Sequence, residues 1–349
     1  MTDDRPPRRG KVDRDTFESV VRSSLGANRE DVRLGPTHGV DFGVLDIGGR
    51  ALVTATDPIS MLPDLGYEEA GRFAVGFTLS DVAVSGVAPT HLCPSFTLPS
   101  DVSDEEFAAF WTGMTAECET LGVAIPTGHT ARYPGASLPW VGAATVLGVG
   151  DHDDVIRPDG ARPGDRLLVT NGPGVETAAL FASLFPDALA DAGLDESTVA
   201  ESASLLPETS VVRDALAAAR AGRAGDGGVT AMHDATEGGL RGALCEMAAA
   251  ADVGFDVDSA AVPTNEAVLA TCSALDIDPW TCTTSGTLLL AVAPAAVGRV
   301  VGALRDRGTP VGVAGTVTSE AGVTLDGAAV DPPAEDGSWG VYERLSARR

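Results

Sequence analysis

Apolar residues recur along this chain with two different periods, and the switches between them mark out its elements. Phe42–Ile47 and Arg50–Thr56 are short runs rich in β-formers separated only by Gly48-Gly49. Two glycines between such runs predict a two-residue hairpin turn. With the turn centred there, residue 41 faces residue 56 and Asp57 becomes a diagonal neighbour of Asp41, with side chains roughly 5–8 Å apart. The helical period then takes over from about Gly66 to Gly86, with Phe73, Phe77 and Val84 on the apolar stripe and Asp64 placed as an N-cap. Asp81 falls inside that stripe, amid Leu79, Val82 and Ala83.

The same reading extends along the chain. Asp13–Leu25 is predicted as a capped helix with Phe17, Val20, Val21 and Leu25 on one face. Ser103 and Glu106 have capping-box spacing at the head of a second long helix, Ser103–Leu121. Strands are expected at His91–Leu98, Val123–Ile125 and Trp140–Val149, the last free of charge and hence central. The Asp/Gly/Pro-rich stretch Asp151–Arg162 reads as a domain boundary. Beyond it, strands at Arg166–Asn171, Val229–His233, Phe255–Val257, Thr287–Val292, Val311–Thr316 and Val323–Leu325 alternate with helices near 175–184, 240–251, 267–275 and 294–307, and residues 186–225 carry a helical pattern with an acidic break around Asp187–Glu196. The expected layout is an arm and helix over 1–36, a first domain over 37–152, a second over 160–330 and a Pro-rich tail over 331–349. Such alternation, with a hairpin in the first half, indicates an α/β or α+β protein of two domains.

Composition narrows the function classes. The net charge is -26, and Lys11 is the single lysine. A surface this acidic repels nucleic acid and anionic lipid, and acidity with almost no lysine in a globular composition suggests adaptation to high cytoplasmic salt. The five cysteines are widely spaced with no CxxC, so buried free thiols are expected rather than zinc or redox chemistry. No apolar run approaches a membrane span and no leader-like segment precedes Gly10, which points to a cytoplasmic protein.

Four groups of residues could carry chemistry. Asp41, Asp57 and Asp81 are either hard oxygen ligands for a magnesium–nucleotide or turn and cap aspartates of an acid-rich chain. Gly128-His129-Thr130 follows a strand, where α/β ligands gather, and His129 is a ligand, a phosphate donor, a general base or an ordinary loop histidine. His233-Asp234 ends a strand before Gly238-Gly239 and a helix, an arrangement suited to proton transfer and to phosphate at the helix start. Gly172-Pro173-Gly174 could likewise present N–H groups to an anion or be a tight turn. GxxxxGK[ST], GxGxxG, a GxSxG elbow and HExxH are all missing.

In order, Gly10-Lys11, GPTHGVDFGVL, TATDPI, LSDVAVSGVAP, TGHTA, PGDRLLVTNGPG and MHDATEGGLRGALCEMA resemble the superfamily of aminoimidazole ribonucleotide synthetase (PurM). That AIR synthase-related group also holds the HypE-type hydrogenase-maturation proteins and thiamine-monophosphate kinase, and the MHDATEGGL segment is closest to the HypE type. The resemblance implies a PurM-like fold: an N-terminal mixed-sheet domain that dimerises with a second copy, and a C-terminal α/β domain. It implies ATP and Mg2+ as cofactors, with phosphoryl transfer to a small polar acceptor. Asp41, Asp57 and Asp81 match the metal and nucleotide aspartates, Lys11 the glycine-lysine opening, and His233 and Asp234 the HypE-type pair. Gly128, Thr130, Gly238 and Gly239 are expected beside the nucleotide, with His129, His233 and Asp234 as the catalytic set. Three departures accompany it: His129 stands where relatives carry Asp or Glu, Ser285 where HypE-type proteins carry an acidic residue, and the sequence ends without their acceptor cysteine. The expectation is therefore a HypE-like ATP-dependent enzyme with a different acceptor, the alternatives being a thiamine-monophosphate-kinase-like enzyme or a non-catalytic nucleotide-binding dimer.

Overall fold

Gly48 and Gly49 take φ of 63° and 85°, a backbone that twists with its flanking strands and closes the hairpin. The computed structural model describes residues 10–347. In it the pairs Gly43↔Thr54 through Ile47↔Arg50 hold the expected register. The first sheet contains β1 (Val32–Leu34), β2 (Gly43–Ile47), β3 (Arg50–Ser60), β4 (Pro89–Leu98), β5 (His129–Arg132) and β6 (Trp140–Gly150), in spatial order β1-β2-β3-β6-β4-β5. The uncharged β6 is central, paired antiparallel with both β3 and β4.

The second sheet contains β7 (Arg166–Thr170), β8 (Val229–Ala235), β9 (Gly254–Val257), β10 (Thr287–Val292), β11 (Val311–Thr318), β12 (Gly322–Leu325) and β13 (Ala328–Val330). Its order is β13-β12-β9-β11-β7-β10-β8. β10 is buried along its whole length and sits between β7 and β8, so that the end of β8 with His233 and Asp234 lies at the sheet edge.

Helices α1 (Arg14–Thr16), α2 (Tyr67–Ala83) and α3 (Asp104–Leu121) belong to the first half. The second carries α4 (Val175–Leu184), α5 (Pro186–Asp191), α6 (Glu196–Ala203), α7 (Val212–Arg223), α8 (Gly239–Ala251), α9 (Glu266–Ala274), α10 (Val297–Arg305) and α11 (Trp339–Ser346). One apolar cluster runs from the first sheet through α2 and α3 to α7, α10 and one face of the second sheet, joining the two halves through shared core. The opposite face of the second sheet packs on α8. Helices α4, α9 and α11 form a third cluster. Among the described residues no helix is long and apolar enough to cross a membrane.

Several local expectations change. Asp64 lies within a 3-10 turn (Pro63–Leu65), and α2 starts at Tyr67 behind Gly66, with no side-chain cap. Thr130 and His129 form an edge strand parallel to β4 instead of a loop, while Val123–Ile125 contributes only a single bridge at Ala124. The Asp13 cap is present, but the helix widens to a π-helix over Phe17–Arg22, with Val20, Val21 and Leu25 exposed, their face uncovered by any of the described residues. β1, β13 and α11 escape the sequence reading, the first two because three-residue strands carry too little period to register.

Helix α2 is buried on nearly all sides, which demands close neighbours. It crosses α3 at two glycines: a Cβ at Gly71 would stand 2.0 Å from Phe110 O, and one at Gly113 would stand 1.8 Å from Glu68 O. Gly113→Ala is expected to wedge the helices apart and destabilise by ~1–3 kcal/mol. Gly298→Ala, in α10 with open space around it, should instead stabilise by ~0.4–1 kcal/mol. Urea midpoints with unchanged m-values check both.

Candidate functional site

Three local structures bring acidic groups to one cleft. The hairpin register sets Asp41 at the entrance of β2 and Asp57 within β3, while the buried run of α2 delivers Asp81 from the side. From the second half, β8 ends on His233-Asp234, both buried, and α8 returns Glu246 to the same place. Lys11 reaches in from the N-terminal segment, its Nζ 3.4 Å from Asp41 Oδ1 and its backbone N–H donating to Glu237 at 3.0 Å. Trp339 of α11 holds that segment down: a Cβ on Gly10 would meet its ring at 2.3 Å.

The cleft opens into a cavity of about 670 Å³. One end is lined by Lys11, Asp41, Asp57, Asp81 and Glu237. The other is aromatic and aliphatic, with Phe73 and Phe77 of α2, Leu180 and Phe181 of α4, and Trp339 and Tyr342 of α11. Glu176 stands between, accepting the Ser285 N–H at 3.0 Å. A carboxylate is thus present beside position 285, donated from α4.

Crowding shifts these groups in opposite directions. Burial, then the charges of Asp57 and Asp41, hold the Asp81 carboxyl well above the usual carboxylate range. Burial also raises Asp57, only partly offset by its hydrogen bond with Asp81. Asp234, buried beside Asp41, is pushed up to about 6. Asp41 goes the other way: burial works against its charge, but Lys11 and His233 outweigh it and hold it below the usual range. His233 Nε2 pairs with Glu246 at 3.2 Å and Nδ1 stands 3.1 Å from Asp41 Oδ2. Burial opposes the imidazolium there, and the two flanking carboxylates still push it up to about 10.

The sequence-predicted residues separate into two sets. Lys11, Asp41, Asp57 and Asp81 line the cavity, with His233 and Asp234 buried behind Asp41. Gly128, His129 and Thr130 do not line it in this protomer; His129 is exposed at the edge of the first sheet, its Nε2 3.2 Å from Tyr133 OH. The two glycine-led helix starts are also already satisfied from within. Gly238 N–H donates to Asp336 and Gly239 N–H to the Thr236 carbonyl. At α4, Val175 N–H donates to Thr284 Oγ1 and Thr177 N–H to the Thr283 carbonyl. These donors are spent on the loop ahead of β10 and on the C-terminal segment, which answers the need of helix ends for partners without an anion. Glu246, Glu176, Glu237, Asp336 and Trp339 escape the sequence reading. Glu246 had a signal, a lone carboxylate in the apolar run GALCEMAAA, the same oddity that marks Asp81.

The five cysteines are free thiols, and burial pushes Cys118 and Cys245 up to about 11, away from thiolate chemistry.

Comparison with known proteins places this architecture. The model described as AIR synthase related protein, N-terminal domain, matches residues 39–149, and its C-terminal counterpart matches 162–327. The chain is 34% identical over 271 residues to the thiamine-monophosphate kinase of Halobacterium salinarum, covering 77% of this chain and 82% of that one. It is 30% identical over 261 residues to the carbamoyl dehydratase HypE of Escherichia coli, covering 74% and 73%. A crystal structure of hydrogenase maturation protein HypE in complex with ATP superposes with a TM-score of 0.67 at 22% identity, covering 96% of this chain and 98% of that one. With both domains matched over most of its length, the chain belongs to the AIR synthase related family and has its PurM-like two-domain fold.

Proposed function

We propose that this protein is an ATP-dependent, magnesium-using enzyme that transfers a phosphoryl group to a small polar acceptor. The observation that carries this reading is the convergence of Asp41, Asp57 and Asp81 with the chain's one lysine at the end of a cavity large enough for a nucleotide. Buried like-charged carboxylates without enough protein cations are the donor set that hard divalent ions select. Asp41, Asp57 and Asp81 would hold magnesium, which when bound neutralises developing charge on the transferred phosphoryl. Lys11, half exposed, is free to leave Asp41 for a phosphate oxygen. His233, fully buried, holds Asp41 in place and does not meet the acceptor.

The related proteins support the nucleotide, since one structural neighbour is a HypE crystallised with ATP. A thiamine-monophosphate-kinase-like acceptor is the second reading, favoured by the identity to the Halobacterium salinarum enzyme and by the aromatic half of the cavity. A homodimer fits the exposed apolar residues Val20, Leu25, Val32, Ile47 and Val149 of the first half.

Incubation with MgATP and candidate acceptors in molar KCl, followed by 31P NMR, should show ADP with a new phosphoryl species or with phosphate. ATP binding with no ADP over hours would leave only a nucleotide-binding dimer. By calorimetry, Asp57→Asn should abolish magnesium-dependent ATP binding; unchanged binding would reject the metal assignment. The pH dependence has a definite sign. Asp81 and Asp234 carry raised values in the folded state, so their stability contribution is complete below the ordinary carboxylate pKa near 3.8 and fades as pH climbs through their folded values, about 6 for Asp234. Ion-free Asp81→Asn is therefore expected to melt higher than wild type at pH 7.5, with the gap closing toward pH 4. Magnesium at a hundred times its Kd should add ~2.7 kcal/mol to wild type and much less to the variant.

A further inference from the structure

A second cavity, of about 490 Å³, lies in the C-terminal half. It forms where the end of β7, the start of α7, the loop before α9 and the turn between α10 and β11 meet. It shares no lining residue with the first cavity, yet the two stand back to back across one thickness of chain. Val175 faces the second and Glu176 the first. Asn171, in the second, donates through Nδ2 to the Gly286 carbonyl at 2.8 Å, next to Ser285 of the first. The volume falls within the ~300–1,000 Å³ typical of small-molecule sites.

Its charges are arranged unlike those of the acidic cleft. Two arginines, Arg213 and Arg307, line it in a chain whose net charge is -26. Asp214 is buried, and its Oδ1 accepts from both Arg307 Nε and Thr309 Oγ1 at 2.8 Å. A carboxylate on Nε fixes the guanidinium plane and leaves the two Nη groups, which make no hydrogen bond among the described residues. Arg213 approaches Glu117 at 3.9 Å, beyond hydrogen-bond reach. Guanidinium forks with open Nη donors are the groups that recognise phosphate oxygens in pairs. The twelve-residue α7, with no side-chain cap from Val211, turns the positive end of its dipole to the same wall. Glu208, the other carboxylate of the lining, is exposed to solvent. Ser210, Thr264 and Asn265 add hydroxyl and amide groups to the rest of the surface.

We propose that this cavity binds a small phosphate monoester carrying hydroxyl groups, of the sugar-phosphate class. Arg213 and Arg307 hold the phosphate, Asp214 positions Arg307, and Ser210, Thr264 and Asn265 meet the hydroxyls. A bare phosphate would leave most of the volume and all three of those groups unused. The site does not depend on phosphoryl transfer, because nothing that lines it lines the first cavity.

The test is calorimetry on the full chain with a chelator present and neither magnesium nor nucleotide added. Glucose 6-phosphate should bind once per chain, and glucose should not bind. Arg213→Gln, which gives up only the 3.9 Å approach to Glu117, should weaken glucose 6-phosphate about 10–100-fold with its far-UV circular dichroism unchanged. Arg307→Lys keeps the charge but loses the fork, and should weaken it as well. Asp57→Asn, in the other cavity, should bind it as the wild type does. No saturable binding by the wild type, undiminished binding by folded Arg213→Gln, or loss of binding in Asp57→Asn overturns the site. Magnesium-dependent ATP binding that persists in the wild type in any of these events would show that only this inference had failed.

Discussion

The rest of this structure is arranged around the mutual repulsion of carboxylates in one buried cleft. Asp41, Asp57, Asp81, Asp234, Glu237 and Glu246 gather about a single lysine and a single histidine. Away from water, like charges at such separations interact several-fold more strongly than on a surface. The protein answers by lowering some groups, raising others and pairing what it can, and the balance remains negative. A cleft of that kind has a standing affinity for cations and, through them, for polyphosphates. Its chemistry follows from this imbalance more than from any one residue.

Holding such groups together requires a scaffold that cannot relax. The core running from the first sheet through α2 to α7 and the second sheet makes the two halves one packed body around the cleft. Helix α2 is gripped on one side by α3 at a glycine crossing and on another by Ser80, whose hydroxyl accepts the Val211 N–H. Asp81 therefore cannot swing away from Asp57 to relieve repulsion. At the far end, Asp336 accepts from Gly238 N–H and from Thr283 Oγ1, tying the C-terminal segment to α8 and to the loop before β10. That knot positions α11 and turns its aromatic side chains into the apolar wall of the cavity.

Two groups of candidate residues find other surroundings in this protomer, for a common reason. Glycine-led helix starts after Gly174 and Gly238 look like anion sites in a sequence, because a sequence does not reveal which distant groups will reach the free N–H donors. Here Thr283, Thr284 and Asp336 reach them from more than ninety residues away along the chain. His129 is similar. A polar tripeptide after an apolar strand suggests a ligand loop, yet the backbone continues as an edge strand beside β4 and carries the imidazole outward.

Where chemistry is local, the sequence determined the outcome. Gly48-Gly49 set the hairpin register and with it the placement of Asp41 and Asp57. The Ser103–Glu106 capping box started α3 where the spacing put it, and the uncharged run at Trp140 became the central strand. Asp81 declared itself by being charged in an apolar stripe. The order of motifs also carried the family. What only the tertiary structure decided are the long-range meetings: Glu246 behind His233, Glu176 beside Ser285, Trp339 over Gly10. Each joins segments whose separation in sequence carries no period and no turn signal, so nothing short of the packed fold could bring them into view. The hairpin showed that two carboxylates converge; the fold shows that six do, and that a histidine stands among them between Asp41 and Glu246.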